Sequence, residues 1–117
     1  MAKRDATERF LPLKPAAFHI LLALADGPRH GYAIRTAVEE LTRGGIKLWP
    51  ATLYGSVRQL TNAGLIVPLE GEADPDDDAR RRYYELTALG KRVLTAETER
   101  LRAIVDFAQG TRAVAKA

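Results

Sequence analysis

The segment Pro50-Ala-Thr-Leu-Tyr-Gly-Ser-Val-Arg-Gln-Leu60 restricts the fold of this chain more than any other. Proline suits the first position of a helix, where its φ is already set and its missing N–H would find no intrahelical partner. Leu53, Val57 and Leu60 then recur at spacings of four and three, which makes them one buried stripe. The remaining face carries Ala51, Thr52, Tyr54, Ser56, Arg58 and Gln59. These small, hydroxylic, amide and guanidinium groups suit the phosphates and base edges of a DNA groove. An ordinary amphipathic surface helix carries the same stripe, so the flanking segments decide between the two readings.

Upstream, Pro15 can open a helix whose Phe18, Ile20, Leu21, Leu22 and Leu24 leave little polar surface, as in the centre of a small core. His19 lies within it and reads as a satisfied core residue rather than a base. Asp26-Gly27-Pro28 ends that helix with turn chemistry. A second helix is predicted from about Gly31 to Thr42, with Tyr32, Ile34, Val38 and Leu41 on its buried spacing and Arg43-Gly44-Gly45 as its stop. The helix at Pro50 should end near Asn62-Ala63-Gly64. Residues 1–12 are mixed and polar apart from Met1, Phe10 and Leu11, and either fray or dock on a partner.

Beyond Gly64 the pattern changes period. Residues 65–70 are β-rich, an acidic segment follows, and residues 80–86 read as a second strand, so the two form a hairpin with a loop of about nine residues, longer than the usual two to five. Thr87 is a plausible N-cap for a last helix reaching about Gln109. Three helices, a β-hairpin and a long helix give an α+β, mainly helical fold, a winged helix-turn-helix with a C-terminal dimerisation helix. In that arrangement the second helix braces the third while the hairpin meets the neighbouring DNA backbone. The expected division is 1–86 for the N-terminal segment and winged domain, 87–109 for the dimerisation helix and 110–117 for a disordered tail.

Charge is distributed unevenly. Of 15 acidic residues six lie in 70–78, which leaves nine against 18 basic residues elsewhere, a balance of +9. A basic body suits a polyanionic partner. The absence of cysteine removes disulfides, thiolate metal sites and cysteine catalysis together. No apolar run approaches the roughly 20 residues that span a bilayer. These features lead us to expect a cytoplasmic protein that needs no cofactor. Nothing resembles a nucleophile elbow or a phosphate loop, so neither catalytic nor metal-binding residues are expected.

Four motifs at their mutual distances resemble the PadR family of transcriptional regulators. They are Leu21-Leu-Ala-Leu24 with His30-Gly-Tyr-Ala-Ile34, then Ala51-Thr-Leu-Tyr54, then Arg58-Gln-Leu60 through Gly64-Leu-Ile66, and Arg81-Arg-Tyr-Tyr-Glu-Leu-Thr87 with Gly90. The resemblance spans residues 13 to about 105 and fits the short form with a single final helix. It implies a homodimeric winged-helix repressor whose last helices pack together. The chain departs from the family pattern at Gly55, where proline is frequent, and in the acidity of its wing loop.

The expected DNA contacts are His30, Tyr32, Ala51, Thr52, Tyr54, Arg58, Gln59, Arg80, Arg81 and Arg82. For His30 and Tyr32 the rival is that they only cap and pack the turn before the second helix. For the three arginines it is pairing with the acidic loop, although surface pairs are worth only about 0–1 kcal/mol and phosphates could displace them. That loop lacks the glycine and spacing of a calcium-binding loop and reads as a solvated wing tip. Trp49 reads as a core anchor between helices, with the wall of an effector pocket as the alternative. Leu94, Leu101, Ile104 and Phe107 form a stripe on the last helix that suits a two-helix interface, joined by Phe10 and Leu11 of the other subunit. Packing back onto the same subunit is the rival. The expected function is sequence-specific transcriptional regulation, as a repressor on a palindromic operator, with a possible small-molecule effector at the dimer interface. A winged-helix protein-interaction module without DNA binding is the alternative.

Overall fold

The computed structural model describes residues 5–69 and 82–115. Its elements are α1 (Asp5–Glu8), α2 (Pro15–Ala23), β1 (Arg29–His30), α3 (Gly31–Leu41), α4 (Pro50–Asn62), β2 (Ile66–Pro68), β3 (Tyr83–Leu86), α5 (Ala88–Gln109) and α6 (Arg112–Ala115). The predicted helices fall where the periodicity places them, and both β-rich segments form strands shorter than expected. Sequence periodicity misses β1, a two-residue strand too short to show a period. It pairs antiparallel with β3, opposing Arg29 to Tyr84 and His30 to Tyr83. On its other edge β3 pairs with β2, opposing Ile66 to Leu86 and Pro68 to Tyr84. The sheet therefore runs β1-β3-β2 with the wing hairpin on one side. The acidic segment 70–78 lies outside the described residues, as do Arg80 and Arg81. The expected unstructured tail carries the single turn α6.

One core joins all layers. Ile20, Leu21 and Leu24 of the central helix region meet Ile34 and Val38 of α3, Leu53, Val57 and Leu60 of α4, Leu65 and Ile66 at the hairpin, and Val93 and Leu94 of α5. Helix α4 stops through a paired motif at Gly64, whose φ of +82 favours glycine. The Gly64 N–H donates to the Thr61 carbonyl at 3.0 Å and the Leu65 N–H to the Leu60 carbonyl at 3.0 Å. The reversal delivers Leu65 and Ile66 into the core. Thr87 then ties this corner to α5: its hydroxyl donates to the Gly64 carbonyl at 2.6 Å and accepts from the Gly90 N–H at 2.9 Å. Its own N–H donates to the Leu65 carbonyl at 3.1 Å. The predicted N-cap is present and holds two elements at once.

The start of α5 belongs to this core, which corrects one expectation. Leu94 is buried within the same subunit rather than offered to a partner, and Phe10 and Leu11 pack against that same core. Glu97, in the middle of the apolar stripe, is 2% exposed. Its carboxylate accepts the Leu13 N–H at 3.0 Å and two bonds from the Arg100 guanidinium at 2.6 and 3.0 Å. The bond from Arg100 first, and that from Leu13, hold its pKa below the ordinary carboxylate value against the opposing effect of burial. Glu97 thereby pins the segment before α2 to the long helix.

A depressed folded pKa contributes stability at pH above the unfolded value, and that contribution is lost as pH falls through the folded value. Glu97→Gln, which keeps an acceptor but no charge, should cost about 1.5–3 kcal/mol at neutral pH. Its deficit against wild type should shrink between neutral pH and an acid pH below the depressed folded pKa of Glu97, where both side chains are neutral. Urea titrations at the two pH values measure this; a deficit independent of pH contradicts an ionised Glu97.

Candidate nucleic-acid interface

Helix α4 buries Leu53, Val57 and Leu60 and turns Ala51, Thr52, Gly55, Arg58, Gln59 and Asn62 to solvent. Burial of the stripe fixes the helix rotation, so the polar face is set by the core beneath it. Tyr54 is half-buried against the core. It lines the same cleft as Tyr84. The Tyr84 pKa is raised mainly by burial, with Arg82 opposing and Tyr54 adding to the rise, so its hydroxyl stays a proton donor at neutral pH.

Between α4 and the hairpin lies an open cleft of about 360 Å³, lined among others by Tyr54, Arg58, Asn62, Pro68, Arg82 and Tyr84. Its two guanidiniums come from different elements, one from α4 and one from the residue that leads into β3. Anions suit such a cleft, because each arginine carries a fixed positive charge and several N–H donors. Asn62, four residues beyond Arg58 on the same exposed face, is missing from the expected contacts although the helical period alone points to it.

His30 sits between β1 and α3 as the N-cap, where its Nδ1 accepts the Ala33 N–H at 3.1 Å. With Nδ1 engaged as acceptor, the proton of a neutral ring resides on Nε2 and remains available to an acceptor. The ring meets Tyr83 edge-on at 5.3 Å between centroids and Tyr32 at 6.5 Å. Capping and packing are thus real roles of His30, while Tyr32 and Tyr83 keep much of their rings exposed. His19 is bonded through Nδ1 to the Pro15 carbonyl at 2.7 Å, as a satisfied structural residue.

Trp49 departs from expectation. It is the N-cap residue of α4 and 60% exposed, so it anchors no core. The sequence held a signal for this: Pro50 as first helical residue puts position 49 outside the helix, where the buried stripe does not continue. The Arg35 guanidinium lies over the indole, 5.8 Å from its centroid. Among the described residues no cluster of His, Cys, Asp and Glu could hold a metal ion, and no helix is long and apolar enough to cross a membrane.

Comparison with known proteins agrees with this geometry. The sequence model of the "Transcriptional regulator PadR-like family" matches residues 20–96. The chain is 41% identical over 78 residues to an uncharacterized 37.1 kDa protein of transposon TN4556 from Streptomyces fradiae, a match covering 67% of this chain but only 20% of that protein. It is 35% identical over 83 residues to Transcriptional regulator Rv3488 of Mycobacterium tuberculosis, covering 71% of this chain and 72% of the relative. Among solved structures, a PadR family regulator from Clostridium difficile R20291 superposes with a TM-score of 0.64 at 25% identity, over 80% of this chain and 94% of the other. Bacillus subtilis PadR in complex with operator DNA superposes with a TM-score of 0.60 at 24% identity, over 73% of this chain and 47% of that one. With the winged fold, the motifs and the family match in agreement, this chain belongs to the PadR-like family of transcriptional regulators.

Proposed function

We propose that the protein is a sequence-specific DNA-binding repressor that works as a two-fold homodimer on a palindromic operator. The observation that carries the reading is the exposed polar face of α4, continued across the cleft from Arg58 to Arg82 on the wing. Helix α4 enters the major groove, where Thr52, Tyr54 and Gln59 meet base edges or backbone, while Arg58 and Arg82 hold the phosphate strand that passes between helix and wing. His30 and Tyr32 face the next phosphates, and Ala51 leaves room at the head of the helix for close approach. Arg80 and Arg81, which precede Arg82 in the sequence, are assigned to phosphate contacts as well. The Bacillus subtilis protein that shares this fold holds operator DNA. Dimerisation uses the outer half of α5, with the exposed Ile104 and Phe107 and the half-buried Leu101, and a small-molecule effector would act on the spacing that this interface sets.

Gel shift over a salt series on the DNA upstream of the protein's own coding sequence, followed by selection from random duplexes, tests the reading. Specific binding should weaken steeply with salt. Arg58→Ala should lower the slope by about one unit and weaken all sequences alike, whereas Thr52→Ala should relax preference at particular bases. Absence of any shift would leave a protein-interaction module as the better account.

Gly55 offers a second check. An added Cβ there meets nothing within 4 Å, and no positive φ demands glycine. Gly55→Ala should therefore stabilise the fold by about 0.5–1 kcal/mol. Because position 55 lies at the centre of the exposed face, the same methyl should weaken operator binding, and melting curves with parallel gel shifts measure the two effects.

A further inference from the structure

We propose that Trp49 reads DNA, with Arg35 as its positioning residue; the inference rests on the DNA-binding reading above and adds a contact class to it. Large aromatic side chains are costly to leave in water unless something covers them, and Trp49 is 60% exposed at the head of α4. Only Pro50 separates it from Ala51 and Thr52, exposed residues of the face assigned to the groove. In helix-turn-helix docking the N-terminal residues of the recognition helix come nearest the base edges. An indole at this place offers no acceptor and one N–H, so its main contact is apolar. In the major groove the apolar mark is the C5-methyl of thymine.

Arg35 supplies the second observation. Its guanidinium lies over the indole, while its Nε is shielded from water and makes no hydrogen bond. Buried donors are nearly always paired, and an unpaired one marks a place where another demand wins. Here that demand is the stacking that holds the indole in one orientation. The packed pair presents a fixed apolar edge beside a positive charge, which complements a base step and its flanking phosphate. A membrane would want several such groups on one apolar face, and here Trp49 is bordered by Pro50, Ala51 and Thr52.

The chain contains a single tryptophan, so fluorescence excited at wavelengths beyond tyrosine absorption reports on this residue alone. Titration with the selected duplex should change the emission at the same midpoint as the gel shift. Trp49→Ala should weaken binding about tenfold and Trp49→Phe should retain most of it. Replacing thymines by uracil one position at a time should reveal one position per half-site where wild type loses affinity and Trp49→Ala does not. Arg35→Gln should leave the fold intact, increase collisional quenching of the indole and weaken the same thymine preference. A wild type that shifts DNA with a steep salt slope but unchanged emission, and an alanine variant of equal affinity, would overturn the role of Trp49 while leaving the repressor reading in place. No DNA binding by wild type would overturn both.

Discussion

Gly90→Ala should destabilise the protein more than any substitution on its exposed faces. A Cβ at this position would lie 3.0 Å from the carbonyl carbon of Leu65 and closer still to its oxygen. The obstacle is backbone, so no side chain can swing aside. That carbonyl also accepts the Thr87 N–H, and the Gly90 N–H is bonded to the Thr87 hydroxyl. Relief therefore requires moving the start of α5 and breaking at least one of these bonds. Overpacking costs about 1–3 kcal/mol and a lost hydrogen bond about 1 kcal/mol more. Against a total stability of about 5–15 kcal/mol this is a large share. At roughly 4 °C per kcal/mol the melting temperature should fall by about 10 °C or more. Circular dichroism melts beside Gly55→Ala, expected to shift the other way, give the measurement. An unchanged melting temperature would mean that α5 does not approach Leu65 as described.

The second large effect concerns assembly. Phe107 is 78% exposed and Ile104 52% exposed, with Val105 half in solvent beside them. Glutamate at both 104 and 107 should leave the subunit folded, since neither side chain belongs to its core. In the proposed dimer it would place four charges in an apolar interface without partners, which costs several kcal/mol. The double variant should sediment as a monomer, and operator affinity should drop by about 10²-fold or more, because linked half-sites gain that much from joint binding. A wild type that is monomeric at micromolar concentration, or a variant that remains dimeric, rejects the interface.

Most of the fold was legible in the sequence because its signals are local. Pro15 and Pro50 mark helix starts, Thr87 caps α5, and Leu53, Val57 and Leu60 set the rotation of α4 by spacing alone. What was illegible depends on tertiary partners. The pairing of β1 is visible only once β3 lies beside it. Leu94 and Phe107 both belong to the same apolar stripe, yet the domain covers the first and ends before the second. Glu97 reads as an interruption until Leu13 and Arg100 meet it. Trp49 was misread on composition, since large aromatics are usually core; the adjacent proline was the better guide. Helical periodicity alone puts Thr52, Arg58 and Gln59 on the exposed face of α4, whereas the convergence of Arg58 with Arg82 needs the folded hairpin.

Thr87 works as a hub. The end of β3, the stop of α4 and the start of α5 meet on its backbone and hydroxyl, so the winged domain and the long helix are joined at one point. With α5 about 33 Å long, a tilt of about 5° carries its far end about 3 Å. One nucleotide step along a strand is about 3.4 Å. In the proposed dimer a few degrees of slip between the two long helices would thus be geared into a misfit of about one base pair between the heads, and the angle of a joint far from the DNA would set binding and release.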